Sequence, residues 1–427
     1  MATANQTDIP TAGVWVAKAR ALDRYRWLML RERHGLLGSA FRFGRDALFD
    51  LVFGVRAHLA SPNRIVTADP CDFLLLQGAL KVVPLQRKKR LIETLRSRGH
   101  HLVESALEEP DNIIAKRMLS LPPQPVPLRY FGYAAYAEWL VQRHDPRVLI
   151  NDRNGSFFAP FLRLSLNQRH RPLVHLAHAS TVESSRRLGM NDYDYYLLFG
   201  KSSEEALRRR SLRFGTSTLL LAGSHMIDSA FDLPAASDTL KTVLVLGVGP
   251  DKEKQACYLH NYQIVSDWAA RHADRRVLIK GHPRSRVSFW KQAAQERENI
   301  EVLPADCPLE KALEQSAIAI NFMSNAVIEA GLARRPAIYL NTCQEREIFE
   351  QERFFGSAVK SAVVLQERIN LIEQNYQAHV TRAEEFACFH LAGGVQGLQR
   401  TVAVLEALVG GTELPADIEQ SMLAAST

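Results

Sequence analysis

The stretch VLIKGHPRSR, Val277 to Arg286, sets four mostly apolar residues in front of a knot of cations. A strand has no structural need to end this way. His282 can donate a hydrogen bond to a phosphate oxygen, Arg284 can add a paired contact, and Lys280 can add a point charge. Pro283 fixes the turn, so the imidazole is aimed. A solvated basic turn is the plain alternative. Two further strand ends invite the same chemistry. TVLVLGVGP closes on Gly247-Val248-Gly249-Pro250, where glycines let backbone pass close to a ligand and offer bare N–H groups to a phosphate. It lacks the third glycine of a dinucleotide loop, and a tight turn would also account for it. In AIAINFMSNAVIEAGL, Ser324 and Asn325 open a helix, where such caps are expected anyway and where bare amides suit an anion. Glu329 follows one turn later among Ala326, Val327, Ile328 and Ala330. A carboxylate there needs a partner, and a ribose diol is a good one. Together these residues describe a pocket for a nucleotide mono- or diphosphate.

A second set of strand ends offers a base. Asp152 follows RVLIN in the turn Asn151-Asp152-Arg153-Asn154-Gly155, and His178 follows PLVHLA in the same relative place. Either can take a proton from an acceptor hydroxyl, and the carboxylate can orient the imidazole. A turn aspartate is the structural alternative for Asp152. Glu183 and Arg186 are candidates to line an acceptor site, and His175 reads as a core histidine. Asp192-Tyr193-Asp194 spells a metal-binding DxD but opens a strand rather than closing one, so it reads as structural. No HExxH, Cys/His cluster or GxSxG elbow occurs. The expectation is therefore no metal and no cofactor, with leaving-group charge stabilised by His282, Arg284 and the helix start.

The elements that must position these groups read as α/β. From about residue 65, short apolar runs alternate with charged helical segments, giving strands at DFLLLQGA, HHLVE, RVLIN, PLVHLA, YYLLF and TLLLAG. Residues 224–241 are polar and small and form the best linker. Five further strand–helix units then follow, from TVLVLGVG to PAIYL, as expected of a parallel, doubly wound sheet. The boundaries expected are a helical segment over 1–64, a first Rossmann-like domain over 65–223 that takes the acceptor, and a linker over 224–241. A nucleotide-donor domain over 242–390 and helices over 391–427, placed to cross back to the first domain, complete the chain.

The chain has 427 residues, 46% of them hydrophobic, which suits two domains. Its net charge of +7 fits an anionic substrate or membrane surface as well as nucleic acid. The basic segment 87–98 lacks interleaved aromatics, which argues against nucleic acid. The five cysteines are scattered, with no disulfide framework, as in a reducing cytosolic setting. No secretory leader is expected, and no run reaches the roughly 18 apolar residues of a membrane span. Residues 13–60 interleave leucines and aromatics with arginines at helical spacing. They read either as helices packed on the body or as an amphipathic surface resting on anionic lipid.

With these motifs in view, the chain resembles the GT-B transferases that build bacterial surface polymers: the capsule-synthesis Kdo transferases, the bacterial sialyl- and polysialyltransferases, and the CDP-glycerol glycerophosphotransferases. In that group a similar His-Pro element and a Ser/Thr-rich helix start bind the donor phosphate, matching His282-Pro283 and Ser324-Asn325, and a Glu matching Glu329 holds the ribose. RVLINDRNGS, PLVHLAHAS, YDYYLLFGK and LLLAGSHMID are similar in order and spacing to the first half of that superfamily. The likeness covers roughly 140–342. It departs at His178-Ala179, where His-Gly is usual, and residues 1–65 have no counterpart. It implies two Rossmann-like domains facing a cleft. The implied activity is inverting, metal-independent transfer from a nucleotide-sugar donor, CMP-Kdo or CMP-sialate foremost, to a glycan or glycolipid acceptor at the cytoplasmic face of a membrane. CDP-glycerol and UDP-sugar donors are the near alternatives. A UDP-sugar 2-epimerase, which shares the architecture, is the rival.

Overall fold

The computed structural model describes residues 13–60, 66–86, 88–180, 186–210, 212–237 and 239–425. They form two compact units. One gathers the described residues up to Phe199, Ser203–Met226 and those from Gln399 on; the other holds Gly200–Ser202 and Ile227–Leu398.

The first unit is built on six parallel strands: β1 (Phe73–Gln77), β2 (Leu102–Ala106), β3 (Val148–Asn151), β4 (Leu173–Leu176), β5 (Tyr195–Leu198) and β6 (Thr216–Leu221). Most are apolar runs buried along their length, as strands covered on both faces must be. Leu74 of β1 lies between Val103 of β2 and Leu149 of β3. The chain thus steps to one side of β1 and then returns to the other. Ligands of such sheets sit at this reversal, beyond the carboxyl ends of the strands.

The second unit repeats the plan with β7 (Thr242–Leu246), β8 (Arg276–Lys280), β9 (Ile300–Val302), β10 (Ile318–Asn321) and β11 (Ala337–Tyr339), in the order β11-β10-β7-β8-β9. Its reversal lies between β7 and β10. Trp268, Trp290, Tyr258, Tyr262 and Phe322 fill its core. Helices Ala362–Gln374 and Tyr376–His390 follow, and the helix Gly397–Gly410 lies in the first unit but for its first two residues. A last strand, β12 (Gln420–Ala424), adds antiparallel to β6, with Gln420 opposite Leu220.

Before the first sheet come α1 (Val14–Arg31) and α2 (Leu36–Leu59). The inner face of α2 crosses the helix Leu128–His144 at very short range. A Cβ on Gly54 would stand 1.8 Å from the Leu128 carbonyl oxygen, and one on Gly132 would stand 2.6 Å from the Phe53 ring. Buried Asp50 of α2 pairs with Arg26 of α1 and accepts from the Tyr133 hydroxyl at 2.8 Å. Among the described residues no helix is long and apolar enough to cross a membrane.

The cysteines differ from expectation. Cys257 and Cys343 form a disulfide across a sequence separation of 86, with Cα atoms 5.3 Å apart. Cys257 opens the helix Ala256–Arg271 beyond β7, and Cys343 lies in the loop after β11. Both are at the carboxyl end of one sheet, a proximity that scattered spacing does not reveal. Cys71, Cys307 and Cys388 are free.

Candidate functional site

In the first unit, the reversal between β1 and β3 opens into a cavity of about 710 Å³, lined by Gly78, Lys88, Asp152, Arg153, His178 and His225 among others. Asp152 stands one residue past β3. Its Oδ2 accepts from Lys88 Nζ at 2.5 Å, both side chains are buried, and Oδ1 is sealed without a partner. Lys88 lies in the basic run 87–90 and immediately precedes the helix Lys89–Ser97. A run of like charges is ordinarily a solvated face. Lys88 instead turns inward, and nothing in a string of like charges marks which member does so. The turn around Asp152 is held by Asn151, whose Oδ1 accepts from Arg153 N at 3.0 Å, while Arg153 Nη1 donates to the Gly78 carbonyl at 3.0 Å.

His178 is exposed on the cavity wall and bonds no described residue. No hydrogen bond joins it to Asp152, so the carboxylate orients Lys88 rather than the imidazole. His225, beyond β6, was missed. It is buried, neither ring nitrogen has a partner, and burial pushes its imidazole down to about 3, with the charges of Lys88 and His178 adding to the effect. Only its place after a strand end, in LLLAGSHM, hinted at it. His175 is a core residue, stacked on Tyr193 at 4.3 Å and edge-on to Tyr196 at 4.5 Å; burial takes it to about 3. Asp192 and Asp194 are structural: Asp192 holds Lys18 and Arg163, and Asp194 holds Arg163 and the amide of Leu173. Glu183 and the side chain of Arg186 lie outside the described residues.

In the second unit the carboxyl ends of β10, β7 and β8, which are neighbours, bring the donor-side candidates to one edge. Gly247 N donates to the Lys280 carbonyl at 2.9 Å, and a Cβ on Gly247 would meet Gly281 Cα and His282 N at 2.9 Å, so the two loops touch through backbone. Gly249 faces open space. Ser285 Oγ ties the turn to the Val248 carbonyl at 2.9 Å. His282 Nδ1 accepts from the Arg284 amide at 3.2 Å, which leaves Nε2 to carry the hydrogen of the neutral ring. Burial and the Arg284 charge hold that imidazole below its ordinary range, against a smaller opposing pull from Glu253. It can therefore donate to an anion while neutral. Arg284 is exposed, whereas Lys280 Nζ is engaged by the Ala305 carbonyl at 3.2 Å.

Asn321, at the end of β10, was missed by the sequence reading. It accepts from the Ser324 amide at 3.1 Å and donates to Gln351 at 2.8 Å, fixing the loop before the helix Ala326–Leu332. Asn325 is exposed at the helix start, and its side chain caps nothing. Glu329 is partly exposed as a residue, yet its Oε2 is sealed and unpartnered, and burial raises its carboxyl to about 7. A neighbouring cluster, also unforeseen, joins Lys252 Nζ and the Tyr258 hydroxyl to Glu345 at 2.5 and 2.8 Å. Among the described residues no three His, Cys, Asp or Glu side chains are grouped to hold a metal ion.

No family model matches the chain, and no curated protein matches it by sequence. Solved structures do match. A Listeria monocytogenes protein assigned as a UDP-N-acetylglucosamine 2-epimerase aligns with TM-score 0.51 at 12% identity, covering 81% of this chain and 98% of that one. Acinetobacter baumannii MurG aligns at 8% identity and TM-score 0.45, covering 78% and 99%. The wall teichoic acid polymerase TagF aligns at 12% and 0.42, covering 87% and 98%. At such identities the likeness concerns the fold. With two Rossmann-like units and helical segments at both ends of the chain, that fold is GT-B.

Proposed function

We propose that this chain is an inverting, metal-independent transferase. It would use a nucleotide-activated donor to build a bacterial surface polysaccharide or glycolipid at the cytoplasmic face of an anionic membrane. The observation that carries the donor side is Glu329, whose sealed Oε2 lacks a partner one turn beyond Ser324 and Asn325, on the same sheet edge as His282. A ribose hydroxyl would complete it. The phosphate would take the Nε2 hydrogen of His282, the guanidinium of Arg284 and the open backbone at Gly249. In the reaction, the acceptor oxygen bonds to the donor carbon as the bond to the phosphate oxygen breaks. The leaving nucleotide keeps that electron pair beside His282 and Arg284, and the hydroxyl proton passes to a base. Of the two base candidates, His178 has the exposed ring; Asp152 is held by Lys88 and would set the field around it. The 710 Å³ cavity in the first unit supports the presence of an acceptor. CMP-Kdo or CMP-sialate is the donor favoured by the resemblance, with CDP-glycerol or a UDP-sugar as alternatives.

The second reading, a UDP-sugar 2-epimerase, is favoured by the fold match to the Listeria protein. A thermal-shift panel of CMP, CDP, UMP, UDP, GDP and ADP tests both. A nucleotide near 100 times its dissociation constant should add about 2.7 kcal/mol. Stabilisation by a cytidine nucleotide, lost in His282→Ala, supports the transferase. Stabilisation by UDP alone, with conversion of UDP-N-acetylglucosamine by the protein on its own, selects the epimerase. No shift with any of them overturns both.

A further inference from the structure

Helix α2 is built the wrong way round for a helix whose only neighbour is protein. Its inner face carries Ser39, Asp50, Gly54 and Ala57 beside Phe53. Its large apolar side chains point to water: Leu37 is 86% exposed, Phe41 72% and Leu59 74%, with Leu48, Phe49 and Val52 exposed between them. Positions 41, 45, 48, 52, 56 and 59 recur at helical spacing, so Phe41, Arg45, Leu48, Val52, Arg56 and Leu59 share one face. That face mixes long apolar groups with exposed guanidinium groups; Arg45 pairs with Asp46 at 2.7 Å and Arg56 with exposed Asp111 at 2.6 Å, surface pairs weak enough for headgroup phosphates to compete with. Of the two α2 acids, Asp50 is buried on Arg26, and Asp46 is partly covered beside Arg45. At the hairpin end of α1, Arg31 and Arg33 are also exposed. Elsewhere among the described residues, exposed large apolar residues are sparser, the next group being Val363, Val364 and Leu371 on the helix Ala362–Gln374.

We infer that the outer face of α2 docks on an anionic lipid surface. The helix lies in the plane of the interface with Phe41, Leu48, Val52 and Leu59 among the acyl chains and Arg45 and Arg56 at the phosphates. Apolar area and cations on a single face are what such a surface selects, since burial and headgroup attraction add. The assignment deepens the membrane side of the proposed function, and it is read without any transfer reaction.

The test is flotation of the full chain with vesicles of phosphatidylcholine alone and of phosphatidylcholine mixed with phosphatidylglycerol. Binding should be confined to the anionic vesicles, weaken in high salt, and fall roughly tenfold or more in Phe41→Glu and in Arg45→Glu/Arg56→Glu. These side chains are exposed, so folding should persist, and an unchanged melting temperature checks it. Equal binding to both vesicles, no binding to either, or wild-type binding in both variants overturns the inference. So does a dimer in solution that Phe41→Glu converts to a monomer. If vesicles bind while no nucleotide does, the docking face stands and the transferase reading falls.

Discussion

Glu329 shows what a single misplaced charge can report. Burial raises its carboxyl from 4.5 to about 7, so the folded chain holds that proton more tightly than the unfolded one. The sign follows: this contribution to stability is fully present below about 4.5, is lost as pH rises toward 7, and is constant above. Its size is at most on the order of 3 kcal/mol, less by whatever water reaches the partly exposed residue. Glu329→Gln should lack this slope when denaturant unfolding is repeated across that window. A ribose hydroxyl bonded to the carboxylate favours its ionised form, so nucleotide binding should release a proton below pH 7 and tighten with pH until about 7. Calorimetry in two buffers of different ionisation enthalpy reads that proton. Nucleotide binding without proton release, and unchanged in the Gln variant, would remove Glu329 from the site. The sequence showed this residue because an acid on an apolar helix is conspicuous. Lys88, a more deeply buried charge, stayed hidden inside a run of four cations.

Elements are joined where such charges meet. Lys88 and Asp152 tie the start of the helix Lys89–Ser97 to the end of β3. Lys88→Met alone strands a buried carboxylate and should cost about 3–5 kcal/mol. Lys88→Met with Asp152→Leu should recover most of that loss, giving a clear coupling energy in a double-mutant cycle. Additive effects below about 1 kcal/mol would mean the pair does not hold these elements together. Strands buried on both faces were legible because parallel β1, β3 and β7 are unbroken apolar runs. In contrast, β12 was not. QSMLA is an edge strand with one buried residue, Leu423, and its pairing with β6 is set by a chain return that no local pattern encodes. The Cys257–Cys343 bond was illegible for the same reason. Loops that meet only because their strands share a sheet leave no trace in spacing.

At the scale of the molecule, both halves carry their candidates beyond the carboxyl ends of strands at or next to the point where the sheet reverses, so strand ends alone make Asp152, His178, His282 and Glu329 legible as candidates. What they could not supply was the state of each group: that Lys280 is engaged, that His282 presents Nε2, and that Asp152 serves Lys88 rather than His178. The proposed division of labour makes a sharp prediction. His282→Ala in the second unit should weaken nucleotide binding and leave the first unit's cavity untouched. His178→Ala in the first unit should keep nucleotide affinity and lower kcat by roughly 10²–10⁴, the range for loss of a general base. The two measurements, nucleotide titration and single-turnover transfer, separate binding from chemistry. If His178→Ala lost nucleotide binding as fully as His282→Ala, the two sets of residues would serve one ligand, as an enzyme without an acceptor requires, and the isomerase reading would replace the transferase.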